Sequence, residues 1–393
     1  MTSPLARHQR RLLQFAYYAF APFAWLSPRV SWVVGVEEVA LVTRHIADAI
    51  PRAYAVVQRR HPFYDVEYDA VIQSERGRLA KFRRLYGGTL LLAWLAHRAR
   101  GFIYVGRAGF LDIVDDERRF EFEFLKRRGK RIVTYFTGTD IRSLRLMVRL
   151  ADETGRPNIG SKLAESRPEL LSDEFEAPLE RRAQVADDLA DAIYSMSVDQ
   201  KSYLQRPTLP FRYFQPDDAF VENSQRFDDL EKIVVVHAPS NPALKGTQFV
   251  REAMARITSE RPHVEYRELT GVSNTEVLTA LGEAHIVLNQ FYAFVPGVFG
   301  IEAMARGAAM LCSADERLEP DLLPGANDAW LVTPHESIYE NVNSLLDDPK
   351  ALRALAARGY RWARANASQS ASASSLTATL AELERRPRSA VRP

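Results

Sequence analysis

Two loops concentrate the residues that could do chemistry. The first reads HAPSNPALKG (237–246) and follows the apolar run KIVVV. A strand that hydrophobic is buried, and it empties into a polar loop just before a helix expected from Thr247. The loop holds His237, Ser240, Asn241, Lys245 and Gly246. The first amides of a helix lack partners and carry partial positive charge, which favours an anion. Lys245 adds a mobile point charge, and Gly246 lets a ligand approach the backbone. The set suits a phosphate, although an ordinary strand-to-helix loop with a surface lysine has the same spacing. It is not a Walker loop, since GxxxxGK[ST] is absent, and no GxGxxG marks a dinucleotide site. The second loop, within HIVLNQFYAFVPGVFGIEAMARG (285–307), puts Asn289 and Gln290 at a strand end. Pro296 and Gly297 turn it into a helix that opens with Val298 and Phe299 and carries Glu302 early. A carboxylate there can accept two vicinal hydroxyls of a ribose, or simply complement the helix dipole.

The N-terminal half offers a weaker set. RIVTYFTGTDIRS (131–143) places Gly138, Thr139 and Asp140 at a strand end, followed by Arg142. Asp140 is the best-placed carboxylate of this half for general-base work, yet Asp ahead of a helix expected near Ile141 is also a preferred N-cap. Gly35 and Glu37, expected to follow the first strand, form a second loop of the same kind. No D-x-D, HExxH or CxxC is present, so no metal and no resident cofactor is expected.

These loops need a scaffold that brings strand ends together. Short β-branched runs alternate with helical patterns in both halves, which predicts parallel sheets covered by helices. The proline-rich QRPTLPFRYFQPDD (205–218) separates the halves. The expected organisation is an N-terminal aromatic and basic segment over 1–28 and a Rossmann-like domain over 29–204. A linker over 205–220, a second Rossmann-like domain over 221–368 and a C-terminal helix and tail over 369–393 complete it. The Ala/Ser-rich stretch 366–376 reads as a kink or hinge. The fold class is α/β, with two doubly wound domains facing each other across a cleft. Ligands bind beyond the carboxyl ends of such strands, so the cleft is the expected site.

The motif order HAPSN…KGT, ELTGVSNTEVLTAL, HIVLNQ and GVFGIEAMARG resembles the donor-binding half of GT-B glycosyltransferases, most of all family 4, over about residues 230–370. The resemblance implies that Lys245 and Gly246 hold a nucleotide diphosphate, that the turn at Thr270 receives the base, and that Glu302 binds the ribose. It implies a retaining, metal-independent transfer of sugar from a nucleotide-sugar donor to a glycan, lipid-linked or small-molecule acceptor. FLKRRGKRIVTYFTGTDIRS (124–143) looks like the acceptor side of bacterial envelope-sugar transferases, with Gly35, Glu37, Gly138, Thr139, Asp140 and Arg142 as acceptor-side residues. Lys245, Glu302 and Asp140 are the catalytic candidates. Two positions depart from the family: Ser240 stands where an arginine is usual, and Phe294 where a glutamate usually touches the donor sugar. Arg107 or Arg142 of the facing domain is expected to make up the missing charge. The competing readings are a nucleotide-sugar epimerase or polyol-phosphate transferase on the same fold, and a non-catalytic sugar-nucleotide-binding protein.

The bulk properties agree with this. The 52 basic and 50 acidic side chains leave a net charge of +2, which argues against a nucleic-acid binder. One cysteine, Cys312, suits a reducing compartment. The N-terminal stretch RHQRRLLQFAYYAFAPFAWL is interrupted by Pro22 and shorter than a span. It reads as a helix packed on the first domain or as an interfacial helix. The expected location is therefore the cytoplasm, at the inner face of the membrane if that segment is interfacial.

Overall fold

A computed structural model describes residues 4–60, 66–73, 80–111 and 116–387. Residues 1–3 of the N-terminal segment and 388–393 of the tail lie outside the described residues. Six strands form the first sheet: β1 (Trp32–Val36), β2 (Tyr54–Val57), β3 (Ala70–Val71), β4 (Gly101–Val105), β5 (Arg131–Tyr135) and β6 (Ala192–Tyr194). They pair in parallel in the order β3-β2-β1-β4-β5-β6. The second sheet holds β7 (Ile233–His237), β8 (Val264–Glu268), β9 (Ile286–Leu288), β10 (Ala309–Cys312) and β11 (Leu331–Val332). Its order is β11-β10-β9-β7-β8, again parallel. Both are doubly wound sheets. β1, β4, β5 and β7 are buried along their whole length, because helices cover both faces, and this is why they read as unbroken apolar runs.

The two faces of the first sheet are covered differently. Val33, Phe102 and Tyr104 pack against Leu92 of the helix Gly88–Leu95 and Phe122 of the helix Arg119–Arg127. Val34, Ile103 and Val105 pack against Ile46 and against Leu376, Leu380 and Leu383. The last three belong to the C-terminal helix Gln369–Arg385. Their spacing makes one apolar stripe, and Trp32 Nε1 donates to Glu384 at 3.0 Å. The segment 369–387 is thus part of the first domain's core rather than a tail of the second. The chain crosses between domains twice at one place: Gln215 N donates to Ala367 O at 2.8 Å, and Gln369 N donates to Gln215 O at 2.7 Å. The break expected within 366–376 falls at Ser368, which is extended and caps the final helix with its side chain.

At the N-terminus the helix Pro4–Phe20 buries Ala6, Leu13 and Ala16 in the first domain's core. Among the described residues, no helix is long and apolar enough to cross a membrane.

The strand order reverses between β1 and β4 in one sheet and between β7 and β9 in the other. A doubly wound sheet opens its ligand crevice at the carboxyl ends of the strands flanking such a switch.

Candidate functional site

The switch point of the second sheet brings together the loops that follow β7 and β9. His237 ends β7 with its ring fully buried. Its Nδ1 lies 2.6 Å from Leu288 O and its Nε2 2.8 Å from Thr247 Oγ1. A carbonyl can only accept, so Nδ1 donates and Nε2 accepts from the hydroxyl. Burial pushes the ring's pKa down to about 4, keeping it neutral. His237, expected at the ligand, instead lies beneath the loop and pins it to β9 with both nitrogens engaged.

Above it, Ser240 and Asn241 are exposed. Asn241 caps a short helix, Pro242–Lys245, that precedes the expected one. Gly246, at φ +74°, joins it to the helix Thr247–Glu260. Gly246 and Thr247 are buried, and a Cβ on Gly246 would lie 3.2 Å from Phe291 Cβ. The start of the Thr247 helix is therefore packed under the β9 loop, not open to the cleft as the sequence suggested.

What the β7 loop does contribute is Lys245. Its Nζ donates to Gln290 Oε1 at the end of β9, and Gln290 Nε2 donates to Val295 O. Asn289, one residue earlier, donates from Nδ2 to Pro296 O at 2.6 Å. Two buried amides thus fix the turn that enters the helix Gly297–Ala305, and one of them ties that turn to the lysine. Gly297 takes φ +67° and donates its N–H to Tyr213 Oη at 3.1 Å. The next amides, of Val298 and Phe299, are first-turn groups without an intrahelical partner. Glu302 lies further along this helix, accepting from Asn274 Nδ2 at 3.5 Å. Burial pushes its pKa up, opposed by Asn274 and Arg306. Val298, Glu302 and Asn274 line a cavity of about 170 Å³ whose other wall is Leu41, His45 and Pro216. Thr270 is exposed beyond β8 and does not line it.

Lys245 is half-buried, and desolvation lowers its pKa to about 8. Asp199 opposes that shift and Arg142 adds to it, so both groups of the first domain act at the lysine. Arg142 Nη2 pairs with Asp199 Oδ2 at 2.6 Å, both side chains being buried. The other Asp199 oxygen accepts Phe294 N from the second domain at 2.8 Å. Asp199 N and Val198 N in turn donate to Glu319 Oε2 at 2.6 and 3.0 Å. Of the two arginines expected to replace the missing charge, Arg142 reaches the lysine but is already paired. Arg107 is exposed at the end of β4.

On the facing domain, Asp140 accepts from Thr137 N at 2.9 Å and from Gly138 N at 2.6 Å. Burial raises its pKa, and those amides oppose the rise. It does not cap the next helix. That helix starts at Leu144, later than expected, and Ser143 caps it by accepting Leu146 N at 3.1 Å. Asp140 braces the strand-end loop in which Gly138 is buried and Thr139 exposed. Gly35 lies inside β1 rather than after it, where a Cβ would stand 2.2 Å from Val56 O; close strand contact requires glycine there. Glu37, just beyond, accepts Arg107 N at 2.9 Å and Ala108 N at 3.3 Å. Among the described residues, no three His, Cys, Asp or Glu side chains converge as metal ligands would.

Sequence reasoning missed Asn274, Tyr213 and Asp199. Asn274 had a signal, since it opens the helix of the Ser273…Glu276 capping box. Asp199 and Tyr213 had none: they reach the site only because the domains face each other.

No family model matches this sequence, and no curated protein matches it. Solved structures do share the fold. HepE from Anabaena, crystallised in complex with UDP and glucose, superposes with a TM-score of 0.56 at 12% identity, covering 90% of this chain and 100% of that one. Sucrose-phosphate synthase from Thermosynechococcus elongatus superposes with a TM-score of 0.58 at 14% identity, covering 90% and 98%. The chain has the two-domain GT-B fold.

Proposed function

We propose that the protein is a glycosyltransferase that moves a sugar from a nucleoside-diphosphate donor, bound between the two domains, to a hydroxyl of an acceptor held by the first domain. The observation that carries this is the link from Lys245 through Gln290 to the turn before Gly297. It sets a cation beside the free amides of a helix whose Glu302 faces a cavity shared by both domains. A diphosphate seated on Lys245 and on the amides of Val298 and Phe299 would leave its ribose toward Glu302. The complex of HepE with UDP and glucose supports the ligand class.

Glycosyl transfer builds negative charge on the departing diphosphate, and a preorganised cation with oriented amides stabilises that charge without rearranging. In the retaining course, the departing phosphate takes the acceptor proton. Asp140 then serves to position the Gly138–Thr139 loop, since both its oxygens already accept amide hydrogens. Thr270 would meet the base only after the β8 loop moves toward the Glu302 cavity.

The test is calorimetry with UDP, GDP and ADP, followed by product analysis with the matching nucleotide sugars. The reading requires one nucleotide to bind, Lys245→Ala to weaken it at least tenfold, and sugar to reach an acceptor. Conversion of the donor sugar without acceptor would show an epimerase; binding without turnover on any acceptor would show a carrier.

We further propose that the N-terminal segment meets a membrane surface. Phe15, Tyr18, Phe23, Trp25 and Leu26 are each more than half exposed, and arginines accompany them in sequence. Aromatic and basic side chains together suit the headgroup layer. Deleting the segment would strip Leu13 from the core, so the test is flotation of Phe15→Ser/Trp25→Ser on vesicles containing phosphatidylglycerol. Recovery equal to the unaltered protein would refute it.

A further inference from the structure

The first domain has its own crevice at the switch point between β1 and β4, lined by three arginines and two glutamates. A hollow of about 400 Å³ opens there, walled by Glu37, Glu38, Gln58, Arg59, Arg60 and Arg107. Two carboxylates share this wall, and each is engaged by neighbouring donors. Glu37 accepts the amides of Arg107 and Ala108. Glu38 accepts the amides of Thr43 and Arg44, each at 3.2 Å, and the Tyr68 hydroxyl at 2.7 Å. Among the described residues, only Arg60 of these arginines has a carboxylate partner, Glu67 at 3.2 Å, and that pair is exposed. Arg59 donates from Nε to Gln73 Oε1 at 2.7 Å, and among the described residues its two terminal nitrogens have no partner. The Arg107 side chain has no partner among the described residues. Two guanidiniums therefore stand over the hollow with donors to spare, and a guanidinium fork matches the oxygens of a phosphate.

The hollow also lies on the route from the donor side. Lys245 feels Arg142; Arg142 belongs to the same strand-end loop as Asp140; Asp140 feels Glu37; and Glu37 holds the Arg107 backbone. Electrostatic coupling and shared loops thus run from Lys245 towards Arg107.

We propose that this hollow binds a phosphate group carried by the acceptor, with Arg59 and Arg107 as its ligands. That the bearer is an acceptor rests on the glycosyl-transfer reading; that the hollow takes phosphate does not. The phosphate belongs to a soluble sugar or polyol phosphate or to a phospholipid headgroup, and the experiment separates these.

The full chain is first saturated with UDP, and Lys245→Ala is run alongside to remove phosphate binding at the donor site. Glycerol 1-phosphate is titrated by calorimetry, and binding to phosphatidylglycerol vesicles is compared with binding to phosphatidylcholine vesicles. Expected is saturable binding of one probe that survives Lys245→Ala and falls by roughly tenfold or more in Arg59→Gln/Arg107→Gln, each charged hydrogen bond being worth about that factor. Added salt weakens it further. Both arginines are exposed, so the variant keeps its fold, which an unchanged melting temperature verifies. Glycerol 1-phosphate binding lost in the arginine variant identifies a soluble bearer; vesicle binding lost in it identifies a headgroup. Binding of neither probe, or binding that the arginine variant leaves unchanged, overturns the proposal. Failure of UDP to bind would sink the donor reading alone.

Discussion

Lys245→Met removes the charge that the proposed function depends on while keeping the length of the side chain, and it should move stability and binding in opposite directions. In the folded protein the ammonium titrates at about 8 rather than its ordinary 10.5. At ~1.36 kcal/mol per pH unit, holding it charged costs the fold about 3 kcal/mol at neutral pH. Methionine escapes that cost but loses the hydrogen bond to Gln290, worth about 1–2 kcal/mol. The variant is therefore expected to be about 1–2 kcal/mol more stable at pH 7. The pH dependence is the sharper check. Between pH 8 and 10.5 the unfolded chain keeps a proton on Lys245 that the folded protein has lost. Wild-type stability then rises with pH by ~1.36 kcal/mol per unit relative to the variant. By pH 9.5 wild type should have gained about 2 kcal/mol, erasing the variant's advantage. Guanidinium unfolding of both proteins at the two pH values measures this. A gap that stays constant between pH 7 and 9.5 would refute the depressed pKa, and with it the view that the site is built as an anion receptor. In the same variant, UDP affinity should fall by about tenfold to a hundredfold, the value of one or two charge-assisted hydrogen bonds.

The remaining expectations use the same site. Nucleotide affinity should be flat up to pH 8 and then fall by about tenfold per pH unit as Lys245 loses its proton; calorimetry above pH 8 should also show proton uptake on binding. Glu302→Gln should weaken UDP by about tenfold while leaving inorganic pyrophosphate unchanged, since the carboxylate is assigned to the ribose. Asp140→Asn turns an amide toward the N–H groups of Thr137 and Gly138 and should cost about 1–3 kcal/mol, read as a lower melting temperature, with UDP affinity unaltered.

Much of this architecture was legible because parallel strands covered on both faces write themselves as apolar runs: SWVVGV, GFIYVG and IVVVH all became central strands. Sheet order was not written, nor was the return of the C-terminal helix, whose Leu376, Leu380 and Leu383 would fit either domain by pattern alone. In the loops, residue type singled out Lys245, Gln290 and Glu302 as candidates, but not their orientation. His237 sits at a strand end like any ligand-binding residue, and only the positions of Leu288 O and Thr247 show that it faces inward. Asp140 likewise has the sequence context of a cap. The Thr137–Gly138 turn takes its carboxylate first, and Ser143 caps in its place.

The seam between the domains gives the lysine's low pKa a functional meaning. Asp199 bonds Arg142 within its own domain and Phe294 N across the seam, and Glu319 accepts Val198 N and Asp199 N. These contacts close the side of the cleft where Lys245 lies, while the Gln215 and Ser368 crossing joins the domains where the chain passes twice. Separating the domains about that crossing would cost the Phe294 and Glu319 bonds and let water reach Lys245, returning it toward full charge. A protein opened in this way would offer a hydrated cation to the diphosphate of the proposed donor. Closing without one means either shedding a proton or leaving a poorly solvated charge, and closing with one removes the desolvation cost through direct pairing. Anion binding and closure would therefore favour each other, and under the proposed function a donor held this way would be screened from water.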